Sequence, residues 1–176
     1  MEKEFPKRKA VRLKKYNYSK AGAYFLTICT KDKKPILSSI WVGDGALDVP
    51  SPQLTRIGKI VEKYILSTSK IENVSVKQYV IMPNHIHLII LIKPTINEYI
   101  DDLNNLGTSK APSPTNEMIS HNVSTFKRFC NNKIGENIFQ LTNYDLIIRD
   151  KEDYQTRAKY IYENPKRWFY DELYKE

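Results

Sequence analysis

The chain has 176 residues, 41% of them hydrophobic, and a formal net charge of +8. That is the size of one domain with an ordinary core. The longest apolar run, Ile86 to Ile92, is only strand length, and Met1 to Lys20 is charged throughout, so a membrane-spanning helix and a secretory signal are both excluded as readings.

The first segment in chain order is a basic arm, residues 1–20. It carries Lys3, Lys7, Arg8, Lys9, Arg12, Lys14, Lys15 and Lys20 against Glu2 and Glu4, which is +6 of the +8. A basic arm with few acids is a common footprint of phosphate-backbone binding, and Arg8, Lys9, Arg12, Lys14 and Lys15 are its candidate contacts. A solvated leader has the same composition, so charge alone leaves both readings open. Ala23 to Thr30 is rich in β-branched and aromatic residues and predicts the first strand. Ser38 to Pro52, with Gly43, Asp44, Gly45 and two prolines, predicts a loop or a minor hairpin. Leu54, Ile57, Val61, Tyr64 and Ile65 recur at helical spacing, so a first helix should end near Ser67. Val74 to Ile81 alternates loosely and predicts a second strand. Pro83-Asn84 should turn it into the next strand as an antiparallel hairpin.

Asn105 to Thr115 carries Gly107, Ser109, Pro112, Ser113 and Pro114 and predicts a loop. Ile119, Val123, Phe126 and Cys130 mark a second helix, whose other face carries Lys127, Arg128 and Lys133, either as solvated charges or as candidate phosphate contacts. Tyr144 to Arg149 predicts another strand. Asp150 is a good N-cap, and Glu152 and Asp153 suit a first turn, so a third helix should run from Lys151 to about Glu163 and stop before Pro165. The order β-α-β-β-α-β-α with antiparallel pairing predicts an α+β, ferredoxin-like sheet with packed helices over residues 21–168, and residues 169–176 as a tail. Cys29 and Cys130 sit in apolar surroundings and read as buried free thiols, which fits a reducing cytoplasm.

Two of the three histidines lie in Pro83-Asn84-His85-Ile86-His87, at the start of the apolar strand. Residues i and i+2 of a strand share a face, so His85 and His87 should present two imidazoles side by side. Imidazole is the commonest side-chain metal ligand, and two on one rigid strand make half of a metal site. A hydrogen-bonded structural histidine is the ordinary alternative, but a buried pair needs two partners.

On the third helix, Tyr154, Ala158, Ile161 and Tyr162 form the stripe expected to face the core. Tyr160 lies off that stripe, with Arg157 at i−3 and Asn164 at i+4. A histidine pair on a strand and an oxygen donor from this helix would make a three-ligand site with open positions. A tyrosine one turn away could then act as a covalent nucleophile on a phosphodiester held there.

These segments carry a family resemblance. Pro83-Asn84-His85-Ile86-His87 resembles the His-hydrophobic-His signature of single-tyrosine HUH nucleases, and Tyr160-Ile161-Tyr162-Glu163-Asn164-Pro165 resembles the corresponding segment of the REP-associated tyrosine transposases. Leu54-Thr55-x-Ile57-Gly58 and Tyr144-Asp145-x-Ile147-Ile148-Arg149 extend the likeness from about Arg12 to Trp168. The resemblance implies an HUH-type fold and a divalent metal, Mg²⁺ or Mn²⁺, on His85, His87 and Asn164. It further implies attack by Tyr160 on single-stranded or hairpin DNA, leaving a 5′-phosphotyrosine link and a free 3′-hydroxyl. It implies a bacterial, cytoplasmic, nucleoid-associated protein, either a monomer or a homodimer. Lys127, Arg128, Arg149 and Arg157 join the arm as candidate DNA contacts, and Tyr144 and, more strongly, Trp168 are candidates for stacking on unpaired bases. Phe139 stands where the family often has Trp, and Leu146 where it often has His. Leu146 opens the alternative of a domesticated protein that binds hairpin DNA or RNA without cutting it. A small-molecule metallohydrolase of the barrel type would need a far longer chain.

Overall fold

The computed structural model describes residues 21–40, 50–93 and 117–174. The basic arm and the Asn105–Thr115 segment lie outside the described residues. In chain order the elements are β1 (Gly22–Cys29), β2 (Ser38–Ile40), β3 (Pro52–Leu54), α1 (Arg56–Thr68), β4 (Val74–Ile81), β5 (His85–Ile92), α2 (Glu117–Ile134), β6 (Tyr144–Ile148) and α3 (Lys151–Glu163). A 3₁₀ segment, Asn164–Tyr170, follows α3 directly.

The main sheet has strand order β4-β5-β1-β6, and all its pairings are antiparallel. With the short β2–β3 pair set aside, this is the ferredoxin-like arrangement expected from the element order. One side of each central strand makes the main core. Tyr24, Leu26 and Ile28 of β1 and Ile86, Leu88 and Ile90 of β5 pack against Val61 and Ile65 of α1 and Val123 and Phe126 of α2. On the opposite face Phe25, Ile89, Val80, Met82 and Ile148 pack against Ile161 of α3 and Trp168. The loose alternation of β4 has a local cause. A register shift between Val76 and Gln78 moves Val76 and Tyr79 onto the main core and Val80 onto the other face.

Two helix starts sit where short polar residues stop the orphan N–H groups. Thr55 Oγ1 accepts from Gly58 N at 3.0 Å and donates to the Ile36 carbonyl at 2.7 Å. Position 58 takes glycine because a Cβ would run into the carbonyl oxygen of Leu37. Asp150 caps α3 by accepting from Asp153 N at 2.8 Å.

The buried stripe of α3 differs from its sequence pattern. Tyr154, Ala158 and Ile161 pack as expected, but Tyr162 is 61% exposed. Ile161 and Tyr162 are about 100° apart around a helix. The helix is rolled over this sheet face so that Ile161 and Asn164 are buried and Tyr162 is left outside. After the 3₁₀ segment the chain turns back. Of the residues assigned to the tail, Tyr174 packs against Trp168 and the Leu173 carbonyl accepts from Asn84 Nδ2 at 2.7 Å. No helix among the described residues is long and apolar enough to cross a membrane.

Candidate metal and tyrosine site

β5 begins with the two histidines, and the pleat places both rings on the α3 side of the sheet. The ring centroids are 4.5 Å apart, and both side chains are buried. Each ring is fixed by a partner on its Nδ1. Asn84, fully buried in the turn, donates its Nδ2 to the carbonyls of Leu173 (2.7 Å) and Lys33 (3.3 Å). Its Oδ1 is therefore an acceptor, and His85 Nδ1–H donates to it at 2.8 Å. His85 is thereby held in the tautomer whose Nε2 carries a free lone pair. Thr27 is the cross-strand neighbour of His87, and its Oγ1 lies 2.8 Å from His87 Nδ1. When that hydroxyl accepts from Nδ1–H, His87 Nε2 is bare as well. Phe25, on the same face, stacks on His87 with centroids 5.2 Å apart.

Burial pushes both imidazoles down to about 3, so they stay neutral at pH 7 with lone pairs available. For His85 the nearby Asn164 opposes that shift and the charge of Lys33 adds to it. For His87 the neighbouring His85 adds to it and Asp171 opposes it.

Asn164 enters from the end of α3. Its Nδ2 donates to Asp171 Oδ2 at 3.0 Å, which leaves Oδ1 as a buried acceptor. His85 Nε2, His87 Nε2 and Asn164 Oδ1 have no hydrogen-bond partner among the described residues, and they are three of only five such buried atoms there. Buried polar atoms without partners are rare, and three lone pairs gathered together repel one another unless a cation sits among them. The residues present thus fit a divalent metal. A carboxylate oxygen of Asp171 and a ring nitrogen of each histidine also lie within 4.8 Å of one another. Asp171 is the member that the sequence did not reveal, because nothing in the residue pattern shows where the chain goes after Pro165.

Tyr160 lies beside this cluster, one turn before Asn164. Its ring centroid is 5.1 Å from that of His87 and 6.0 Å from that of Phe25. It remains 39% exposed, so the side chain is open to a ligand from solvent. Burial raises the phenol above its ordinary value, the charges of Asp171 and Glu172 raise it further, and Asn164 and Arg157 pull it back. Arg157 pairs with Asp153 at 3.1 Å and lies over the Phe25 ring at 5.7 Å.

No family model matches the chain. It is 31% identical over 174 residues to an uncharacterized protein of Haemophilus influenzae, covering 95% of this chain and 93% of that one. The two belong to one family. Among solved structures, a REP-associated tyrosine transposase bound to a REP hairpin matches with a TM-score of 0.57 at 18% identity, over 89% of this chain and 73% of that one. This chain has the REP-associated tyrosine transposase fold. The likeness carried in sequence by the histidine and tyrosine segments extends to the architecture that holds them.

On this transposase fold the two departures from the family pattern have different settings. Phe139 is buried in the main core with its ring 5.7 Å from Phe126, so an aromatic slot is still filled. Leu146 pairs with Phe25 across β1 and β6, on the face that holds the histidines.

The basic candidates separate. Arg157 stands at the site, and Arg149 is exposed beyond the end of β6. Arg128 lies over Phe129 in the helix layer on the opposite side of the sheet, where Phe129 stacks on Tyr64. Lys127 is not on a solvated face. It is buried, and its ammonium donates to the carbonyls of Gln140 (2.8 Å), Leu141 (3.2 Å) and Thr142 (3.3 Å), which occupies all three donors. It ties down the connection from α2 to β6 instead of facing a phosphate. Arg8, Lys9, Arg12, Lys14 and Lys15 lie outside the described residues. The stacking candidates change places: Trp168 is 5% exposed and packs 5.9 Å from His85, whereas Tyr144 is 41% exposed and shares a sheet face with His87. The place of Trp168 after Lys166-Arg167 suggests an exposed ring, but the 3₁₀ turn rotates the indole inward and leaves those two bases outside.

Proposed function

We propose that the protein is a metal-dependent single-stranded DNA endonuclease and strand transferase, with Tyr160 as nucleophile. The observation that carries this reading is the gathering of three buried, unpartnered lone pairs beside a half-exposed tyrosine. His85, His87 and Asn164 would hold a divalent cation, Mg²⁺ or Mn²⁺, which when bound supplies Lewis-acid polarisation of a phosphate. Tyr160 Oη forms a bond to phosphorus as the P–O3′ bond breaks. The phenolic proton leaves Oη, and the departing 3′ oxygen gains a proton. The products are a 5′-phosphotyrosine link and a free 3′-hydroxyl. A second 3′-hydroxyl can attack the link in the reverse sense, so strand transfer needs no ATP. Arg157 favours the phenolate that develops during attack, and the raised value of Tyr160 keeps the free phenol protonated until a phosphate arrives.

The substrate proposed is single-stranded or hairpin DNA. The neighbouring transposase is bound to a REP hairpin, and Tyr144 offers an exposed ring for an unpaired base on the histidine face. The arm residues Arg8, Lys9, Arg12, Lys14 and Lys15, with Arg128, Arg149 and Arg157, are proposed as phosphate contacts.

The test uses a labelled hairpin with single-stranded flanks, incubated with protein and Mn²⁺ and run on a denaturing gel. Wild type should give a covalent adduct, Tyr160→Phe should give none at an unchanged melting temperature, and Tyr162→Phe should behave as wild type. A mobility shift without any adduct would instead establish a protein that binds hairpins and does not cut them.

A further inference from the structure

The reaction as proposed leaves Asp171 without a role, yet its carboxylate sits against the site. Asp171 ends the 3₁₀ segment, with its N–H donating to the Trp168 carbonyl at 3.1 Å and its own carbonyl accepting from Tyr174 N at 2.9 Å. One carboxylate oxygen accepts from Asn164 Nδ2 (3.0 Å) and the other from Leu173 N (2.7 Å). A carboxylate oxygen has lone pairs to spare after one such bond. One of the two lies within 4.8 Å of ring nitrogens from both histidines.

His85, His87 and Asn164 are neutral donors in a buried place. A doubly charged cation held by them alone would lose much of its hydration with no opposing charge beside it. A carboxylate supplies that charge, and two imidazoles with one carboxylate are a known donor set for divalent first-row metals. The same carboxylate also decides which end of the Asn164 amide faces the cluster, because only the NH₂ end can donate to it. The segment is held in place by the residue that orients His85: Asn84 donates to the Leu173 carbonyl and accepts from His85.

Resting on the metal reading above, we infer that Asp171 completes the cation site, as its anionic ligand and as the group that turns Asn164 Oδ1 inward. The test is Mn²⁺ titration of the full chain without DNA, by calorimetry and by the electron paramagnetic resonance signal of free Mn²⁺. Asp171→Asn removes the charge and leaves one oxygen to serve the two donors, Asn164 Nδ2 and Leu173 N, that the carboxylate serves with two; it should weaken Mn²⁺ binding about 10- to 100-fold. Asp171→Ala removes both contributions and should weaken it further, while Asp171→Glu should recover part of the loss. Thermal melting of each variant without metal shows that it is folded. If His87→Ala abolishes binding while Asp171→Asn and Asp171→Ala bind as wild type, the inference about Asp171 is overturned and the histidine site stands. A wild-type chain that takes up no Mn²⁺ overturns the metal reading and this inference with it.

Discussion

Asn84→Ala removes one small side chain that serves two purposes, and its consequences can be worked from three hydrogen bonds. The amide donates to the carbonyls of Leu173 at 2.7 Å and Lys33 at 3.3 Å, and accepts from His85 Nδ1 at 2.8 Å. The side chain is fully buried, so water does not readily replace it. A net hydrogen bond contributes about 1 kcal/mol, and a buried partner left unpaired costs about 1–3 kcal/mol. The long contact to Lys33 adds little, which leaves a total loss of about 3 kcal/mol. For a domain of this size that is a fall in Tm of roughly 6–12 °C. Metal binding should suffer separately. Without Asn84 Oδ1, nothing selects the His85 tautomer with a bare Nε2, and loss of such an orienting partner costs about 10- to 100-fold in affinity. Differential scanning calorimetry reads the first effect and Mn²⁺ titration the second. Nitrogen-15 spectra of the histidine rings read the cause: wild-type His85 should be protonated on Nδ1. A wild-type ring protonated on Nε2, or a variant that melts within 1 °C of wild type, would refute the reasoning.

Three further outcomes follow from buried groups. Lys127→Met strips three loop carbonyls of their donor and should destabilise by about 1.5–3 kcal/mol with DNA affinity unchanged; a loss of affinity at constant Tm would make Lys127 a phosphate contact after all. Gly58→Ala forces a methyl group against the Leu37 carbonyl, a backbone atom that also accepts from Thr55 N, and should cost about 1–3 kcal/mol or more in chemical denaturation; a neutral result would mean that α1 can pivot away. Acid should destabilise the metal-free fold early. The histidines titrate near 3 when folded and about 6.5 when unfolded, so the unfolded chain binds more protons between those values. Their stabilisation is complete above pH 6.5 and shrinks as pH falls, by about 2 kcal/mol per histidine at pH 5. Melting curves from pH 7 to pH 5 check this, and in the His85→Phe, His87→Phe double variant the slope should be much shallower; an equal slope would assign the effect to other groups.

The local periodicities carried much of the architecture. The pleat alone placed His85 and His87 on one face, and the helical repeat placed Asn164 one turn beyond Tyr160, because both relations are settled within a few residues of backbone. Asp150 as a cap and the hairpin at Pro83-Asn84 were legible for the same reason. Other features depend on which surfaces meet. Tyr162 falls on the core stripe by helical spacing, but the roll of α3 over the sheet face leaves it outside. Spacing leaves Lys127 on the polar face of its helix, as a solvated charge or a phosphate contact, because its three carbonyl partners come from a loop more than a dozen residues away. Trp168 and Tyr144 exchanged expectations through the turn after Asn164 and the face that β6 presents. Asp171 reaches the histidines only because a 3₁₀ segment reverses the chain and Asn84 fastens Leu173, a contact spanning 89 residues. Periodicity is a property of neighbours along the chain. The side of a helix that is buried, and the point where a returning strand of chain arrives, are set by packing among distant segments, which the sequence determines but does not display.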